Sequence, residues 1–216
     1  MTLAAVPQYD SEQVPDQGRH AIVVGAGIAG LCAARILADA FDEVVVIDRD
    51  PLPDEPVARD GVPQARQIHI LWEGGRATLE ELFPGYSEEL VAAGGVSING
   101  QRDFYMYSQG NYLAAGSKPF PLYAATRPLY EQLLRRRVSD HDDIHLQGGS
   151  PFVAYLADDA AGIINGVVIR NQDGEQEELA ADLVVDATGR TSRTPDWLSN
   201  HGYTPPATEK GHIDLA

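Results

Sequence analysis

An α/β fold, with a parallel sheet, an antiparallel β-meander and a partial second β layer, is predicted for this chain of 216 residues from three observations. A β-branched run, Ala21 to Val24, is stopped by Gly25 and followed by Ile28, Leu31, Ala34, Ile36 and Leu37 at helical spacing. A second run, Glu43 to Ile47, is apolar on both faces, as a strand in a helix-covered parallel sheet should be. Far downstream, three short strand-like runs with Asp-bearing turns precede another buried run, Asp182 to Asp186.

Taken in order, Met1 to His20 carries Asp10, Glu12 and Asp16 with two prolines and no apolar core, so residues 1–20 read as a disordered tail and not as a secretory signal. Residues 21–216 are then one domain. The first strand, helix and second strand form a crossover unit, right-handed in nearly all known cases. Asp50 to Pro63 is rich in Pro and Asp and reads as a loop. A helix is predicted from Gln67 to Leu82, ending before Pro84-Gly85. Val96 to Ile98, Arg102 to Tyr107 and Tyr112 to Ala115 suggest a small antiparallel layer, part of an insertion spanning about residues 96–123. Its aromatic residues Phe104, Tyr105, Tyr107 and Tyr112 either wall a ligand pocket or simply pack. Arg127-Pro128 opens a helix to Val138, and Ile144 to Leu146 is a further parallel strand. Pro151 to Leu156, Ile163 to Arg170 and Gln176 to Leu179 form the meander. Beyond Gly189 there is little pattern until Ile213 to Ala216, which resembles the start of a strand.

Composition narrows the function classes. Sixteen Lys+Arg against thirty-two Asp+Glu leave a net charge of −16, which disfavours nucleic acid and anionic membrane surfaces as partners. No apolar stretch reaches the ~20 residues of a membrane span. One cysteine, Cys32, forms no internal disulfide and fits the cytoplasm; it reads as a buried core thiol. No metal-ligand spacing is present. The charge is uneven: ten acids and one arginine lie between Asp140 and Asp182, whereas seven bases meet six acids between Arg76 and Arg137. Only two of the sixteen bases are lysine. Such a balance suits a salt-adapted cytoplasm, of the haloarchaeal type, or a GC-rich mesophile that favours Arg.

The chemistry-bearing motif is Gly25-Ala26-Gly27-Ile28-Ala29-Gly30, a G-x-G-x-x-G directly after a strand and opening a helix. Gly25 permits a tight turn, Gly27 lets backbone approach a pyrophosphate, and Gly30 allows close helix–strand packing, while the helix N-terminus offers N–H groups and positive dipole. Asp48, at the end of the second strand, would accept ribose hydroxyls of an adenosine. This is a Rossmann-like dinucleotide site, and the unit alone suits NAD as well as FAD. Asp186-Ala-Thr-Gly189 adds a second small-residue turn after a buried strand.

Together with Asp48-Arg49, that turn resembles the FAD-binding domain of the glutathione-reductase-like flavoproteins, in the branch of aromatic hydroxylases, geranylgeranyl reductases and halogenases. Gly61 to His69, Leu79 to Gly85 and Asp186 to Leu198 are similar to a group of archaeal and actinobacterial FAD-dependent oxidoreductases. The resemblance implies FAD held by Gly25 to Gly30, Asp48, Arg49, Asp186, Thr188 and Gly189, with NAD(P)H as a donor. It also implies that Arg66 faces the phosphates or ribityl chain and Arg127 the flavin's linker. The plainer readings are that Arg66 pairs with loop acids, that Arg127 lies on a solvated helix face, and that Arg135-Arg136-Arg137 is a solvated helix end. His69 reads as structural, and Arg190 and Arg193 as possible guides for a donor. Ser192 and His201 lack the nucleophile elbow of a hydrolase, and Trp72 and Trp197 lack the spacing of the halogenase signature. The family's downstream glycine–aspartate motif finds no match in Thr191 to Ala216, so the chain resembles the N-terminal half of a longer protein. The resulting expectation is the FAD-binding part of an oxidoreductase or monooxygenase acting on a small organic substrate. The alternatives are a non-catalytic dinucleotide-binding half served by a second chain, and an NAD-dependent dehydrogenase.

Overall fold

The computed structural model describes residues 9–103, 105–114, 121–160, 162–209 and 211, without the side chain of Ile68. In chain order the elements are β1 (Gly18–Val24), α1 (Ile28–Leu37), β2 (Phe41–Ile47), β3 (Ile68–Leu71), α2 (Glu73–Leu82), α3 (Tyr86–Ala92), β4 (Val96–Asn99), β5 (Tyr107–Ser108) and β6 (Asn111–Tyr112). There follow β7 (Pro121–Thr126), α4 (Arg127–Ser139), β8 (Ile144–Gln147), β9 (Phe152–Asp158), β10 (Ile163–Arg170), β11 (Gln176–Ala180), β12 (Leu183–Asp186) and α5 (Thr194–Asn200).

The central sheet is parallel, in the order β12-β1-β2-β8. Strand alternation sends Ala21 and Val23 of β1 to one face, where Leu31 and Ala34 of α1 and Leu133, Leu134 and Val138 of α4 cover them. Ile22 and Val24 point to the other face, which the antiparallel meander β9-β10-β11 covers with Val167 and Ile169. β1 at the centre of the sheet is therefore covered on both sides, which is why it reads as a continuous apolar run. Each fully buried aliphatic side chain contributes about 1.5–3 kcal/mol. α4 starts at a Thr126 cap, whose hydroxyl accepts from the Leu129 N–H, with proline in the first turn as predicted. Cys32 packs against this core, and burial pushes its thiol up to about 11.

Several expectations are corrected. The tail is not disordered throughout. The strand begins at Gly18, and Tyr9 ties the preceding segment to α1 by donating its hydroxyl to Asp39 Oδ2 at 2.6 Å; residues 1–8 lie outside the described residues. The helix predicted from Gln67 is a strand and a helix. Residues 68–71 pair antiparallel with β7, because the open edge of Thr126 to Tyr123 offers ladder hydrogen bonds that override the helical spacing of Ile70 and Leu71. β7 was hidden by Pro121, which a strand tolerates at its first residue. α3 is unexpected from the sequence, because Pro84-Gly85 reads as a stop, whereas Gly85 begins the next helix in left-handed conformation at φ 83°.

Of the expected antiparallel layer only Val96 to Ile98 joins the sheet, as β4 in the order β3-β7-β4; Arg102 and Asp103 lie in a turn, and Tyr107 and Tyr112 belong to a separate hairpin, β5-β6. The hairpin turns on Gln109 and Gly110, both at positive φ, which matches the right-handed twist of its two strands. Tyr105, Tyr107 and Tyr112 are exposed, while Phe104 lies outside the described residues. Residues 115–120 and 212–216 are likewise outside, so the ends predicted for the layer and for a final strand fall there.

Candidate functional site

The glycine loop joins β1 to α1, and its three glycines do different things. Gly25 sits at φ +110°, and a Cβ there would meet the Ala187 carbonyl oxygen at 2.7 Å. A Cβ on Gly30 would lie 1.8 Å from the Gly25 carbonyl oxygen, so helix and loop could not close. Around a Cβ on Gly27 there is nothing within 4 Å, so this position faces open space. Gly27 is also the cap residue of α1, with no side-chain cap and no acid in the first turn. Ile28, Ala29 and Gly30 form that first turn, whose N–H groups have no intrahelical acceptor. In a chain of net charge −16, an uncapped, acid-free helix start beside an open glycine is a receptive place for an anion.

Asp48, at the end of β2, reaches back to this loop. Its Oδ2 accepts the Ala26 N–H at 2.7 Å and its Oδ1 the Asp50 N–H at 2.9 Å. Arg49 beside it is exposed and reaches Asp50 only at 3.9 Å.

A buried charge network underlies the loop, and the sequence reading missed its centre. The Arg59 side chain is 4% exposed. Its Nη1 lies 3.1 Å from Asp48 Oδ2 and 3.5 Å from Asp50 Oδ2. Its Nη2 donates to Glu131 Oε2 at 2.9 Å and to the Ala26 carbonyl oxygen at 3.1 Å. Glu131 is 3% exposed and also accepts from Arg127 Nε at 2.7 Å. Arg135, 4.0 Å from Glu131, donates to the Pro53 carbonyl oxygen at 2.7 Å. Burial alone would lower the Arg59 pKa, but the charges of Asp48 and Glu131 prevail and raise it. Arg135 goes the other way, pushed down by burial and by neighbouring Arg59. Three acids and three arginines thus balance in a dry place, where losing one partner costs far more than the pair contributes. Arg127 and Arg135 therefore lie in this network and not on a solvated helix face, whereas Arg136 and Arg137 pair with Glu89. The legible signal was Arg127, Glu131 and Arg135 at i, i+4 and i+8, one stripe of a helix. Arg59, in an aperiodic loop, carried no such signal.

The second loop closes on the first. Ala187 donates its N–H to the Val24 carbonyl at 2.8 Å, and its own carbonyl faces Gly25. Gly189 takes φ +71° with open space around it. Asp186, predicted to touch the cofactor, is engaged within the loop. It accepts from the Thr188 N–H at 2.8 Å, from the hydroxyls of Thr188 and Ser192 at 2.5 Å each, and from the Thr194 hydroxyl. Burial raises its pKa, yet the hydroxyl hydrogen bonds from Ser192, Thr188 and Thr194 outweigh it and hold the carboxyl below its ordinary range. Ser192 is thereby accounted for as a loop brace.

Arg66 ends a 3-10 turn, exposed and without an acid partner among the described residues, so it does not pair with the loop acids. His69 Nδ1 pairs with the Gln67 carbonyl oxygen at 2.8 Å. A cleft of about 220 Å³ between the meander and α5, lined by Asp158, Ile163, Trp197 and Tyr203 among others, includes none of the glycine-loop residues. Among the described residues no group of His, Cys, Asp and Glu is arranged to hold a metal ion, and no helix is long and apolar enough to cross a membrane.

This arrangement has relatives. The chain is 39% identical over 205 residues to Protein Rv3254 of Mycobacterium tuberculosis, covering 91% of this chain and 43% of that protein. It is 29% identical over 196 residues to squalene monooxygenase 1,1 of Brassica napus, covering 87% and 35%. The crystal structure of a mutant of P. aeruginosa PqsL superposes with a TM-score of 0.63 at 18% identity, covering 91% of this chain and 48% of that one. The chain thus spans less than half the length of these proteins. Residues 19–204 match the FAD binding domain family, and the chain belongs to that family, with FAD as its cofactor.

Proposed function

We propose that this chain is the FAD-holding part of a flavin-dependent monooxygenase or related oxidoreductase of the glutathione-reductase-like branch, working on a small organic substrate in the cytoplasm with NAD(P)H as electron donor. The observation that carries the proposal is the open Gly27 at an uncapped helix start, beside a second loop braced by Asp186. The N–H groups of Ile28, Ala29 and Gly30 would take the pyrophosphate, and Asp48 the adenosine ribose. Asp48 has capacity left for this, since a carboxylate offers about four lone-pair sites and three are engaged here. Thr188 and Gly189 would line the cofactor through backbone, and Arg66, without an acid partner among the described residues, would meet its phosphates or ribityl chain. When bound, the flavin supplies hydride and oxygen chemistry, and the protein supplies orientation. The Asp-rich, Lys-poor surface supports adaptation to a salt-rich cytoplasm of the haloarchaeal type.

Titration of the purified chain with FAD, FMN and NAD+, followed by flavin fluorescence, tests this reading. FAD quenching that FMN and NAD+ do not reproduce is expected. Preference for NAD+ would replace the proposal with the dehydrogenase reading.

The exposed hairpin supports a second reading, in which the chain is the nucleotide-holding half of a two-chain enzyme. Tyr107 and Tyr112 are 64% and 69% exposed and stack edge-on at 5.2 Å. Enhanced fluorescence of an apolar dye, lost in Tyr107→Ser/Tyr112→Ser, is the outcome this reading predicts.

A further inference from the structure

We infer that Arg59 is a positioning residue that clamps the Ala26 peptide, and that with Glu131 and Asp48 it sets the glycine loop in its nucleotide-ready shape before any ligand arrives. The peptide is gripped on both sides: Asp48 Oδ2 accepts its N–H at 2.7 Å, and Arg59 Nη2 donates to its carbonyl at 3.1 Å. The two gripping groups are themselves joined, Nη1 to Oδ2 at 3.1 Å. Glu131 then anchors Arg59 to α4 at 2.9 Å, so the loop is referenced to a second helix as well as to its own. Among the described residues Arg59 Nε has no hydrogen-bond partner, so the clamp rests on the two terminal nitrogens of the guanidinium fork. Lysine, with one ammonium on a flexible stem, cannot hold three acceptors in that geometry.

The physical consequence is preorganisation. A loop already fixed loses less freedom on binding, so the clamp strengthens affinity without touching the ligand. The ligand arm of this inference rests on the FAD reading above, while the loop arm does not.

Two variants test it, with ADP as the probe. Arg59→Met/Glu131→Gln removes one charge of each sign, so the network keeps its net charge, and the β1 and β2 amides report whether the fold is kept. Arg59→Lys keeps the charge and loses the fork. Two measurements are made on each: amide hydrogen exchange at Ala26 in the ligand-free protein, and the ADP dissociation constant. Ala26 exchange is expected to accelerate about tenfold or more, with β1 and β2 amides unchanged, because opening becomes local instead of global. The ADP constant is expected to rise about tenfold in the double variant and less in Arg59→Lys. A general loss of packing would instead accelerate β1 and β2 together with Ala26, and that result overturns the inference. So does an ADP constant that stays within about twofold of the parent in both variants, in a parent that binds ADP. If the parent takes neither ADP nor FAD while Ala26 exchange still accelerates alone, the clamp stands and the FAD reading falls.

Discussion

The glycine-loop end of the parallel sheet and the β5-β6 hairpin differ in how completely the chain satisfies its own groups. At the loop, each close approach is enforced: Gly25 and Gly30 have no room for a Cβ, Ala26 is bonded at both N–H and carbonyl, and Asp186 has four hydrogen bonds. At the hairpin, a two-residue ladder carries aromatic side chains that face solvent. One region fixes its own backbone by local chemistry, and the other is left with apolar surface uncovered by any described residue. The lesson is that the shape of the glycine loop is set by this chain's own backbone and its braces.

The largest effect that could break the contrast is at Glu131. Glu131→Ala leaves Arg59, Arg127 and Arg135 without their shared acceptor, and urea unfolding is expected to show a loss of about 3–5 kcal/mol. Next come the glycines. Gly30→Ala drives a Cβ into the Gly25 carbonyl and is expected to destabilise by about 1–3 kcal/mol or more. A Cβ at Gly27 meets only open space, so Gly27→Val should cost little more than the loss of a favourable cap residue, well below Gly30→Ala, while FAD affinity falls by on the order of tenfold or more. Equal thermal penalties for the two would mean that Gly27 is as crowded as Gly30. At the hairpin, Tyr112→Ala should cost no more than about 1 kcal/mol, since an exposed edge-on pair contributes little. A cost like that of Glu131→Ala would erase the contrast.

The smallest expected effect concerns acid. The Asp186 pKa lies below its unfolded value, so its contribution is fully present above about pH 4 and is lost as pH falls through the folded pKa. Asp186→Asn should therefore be less stable than the parent at neutral pH, with the difference shrinking below about pH 4 in denaturant titrations. A difference independent of pH would show that the carboxylate charge is irrelevant to the brace.

Sequence made the local parts of this site visible and concealed the long-range ones. Gly25, Gly27 and Gly30 announce themselves because their spacing is set by one turn and one helix, and Asp48 because it ends the next strand in the same unit. The parallel strands and the meander were legible for a related reason, since their burial on one or both faces shows in the period of apolar residues. Arg59 was not legible, because its partners Asp48 and Glu131 lie 11 residues upstream and 72 downstream, and nothing in a Pro- and Asp-rich loop signals a buried cation. The strand of residues 68–71 failed for the same cause, as its identity depends on a partner, β7, more than fifty residues away. Asp186 illustrates a third case: the motif was seen, but hydroxyls of Ser192 and Thr194, in a stretch with no periodicity, decide what its carboxylate faces.

The most direct test of the central claim, that the glycine loop holds the ADP half of FAD, is competition of ADP against FAD on the parent chain and on Gly27→Val. ADP in excess is expected to displace FAD competitively from the parent, and both ligands should weaken together in Gly27→Val while the fold persists. FAD binding that ADP does not displace, or that Gly27→Val leaves intact, would contradict it.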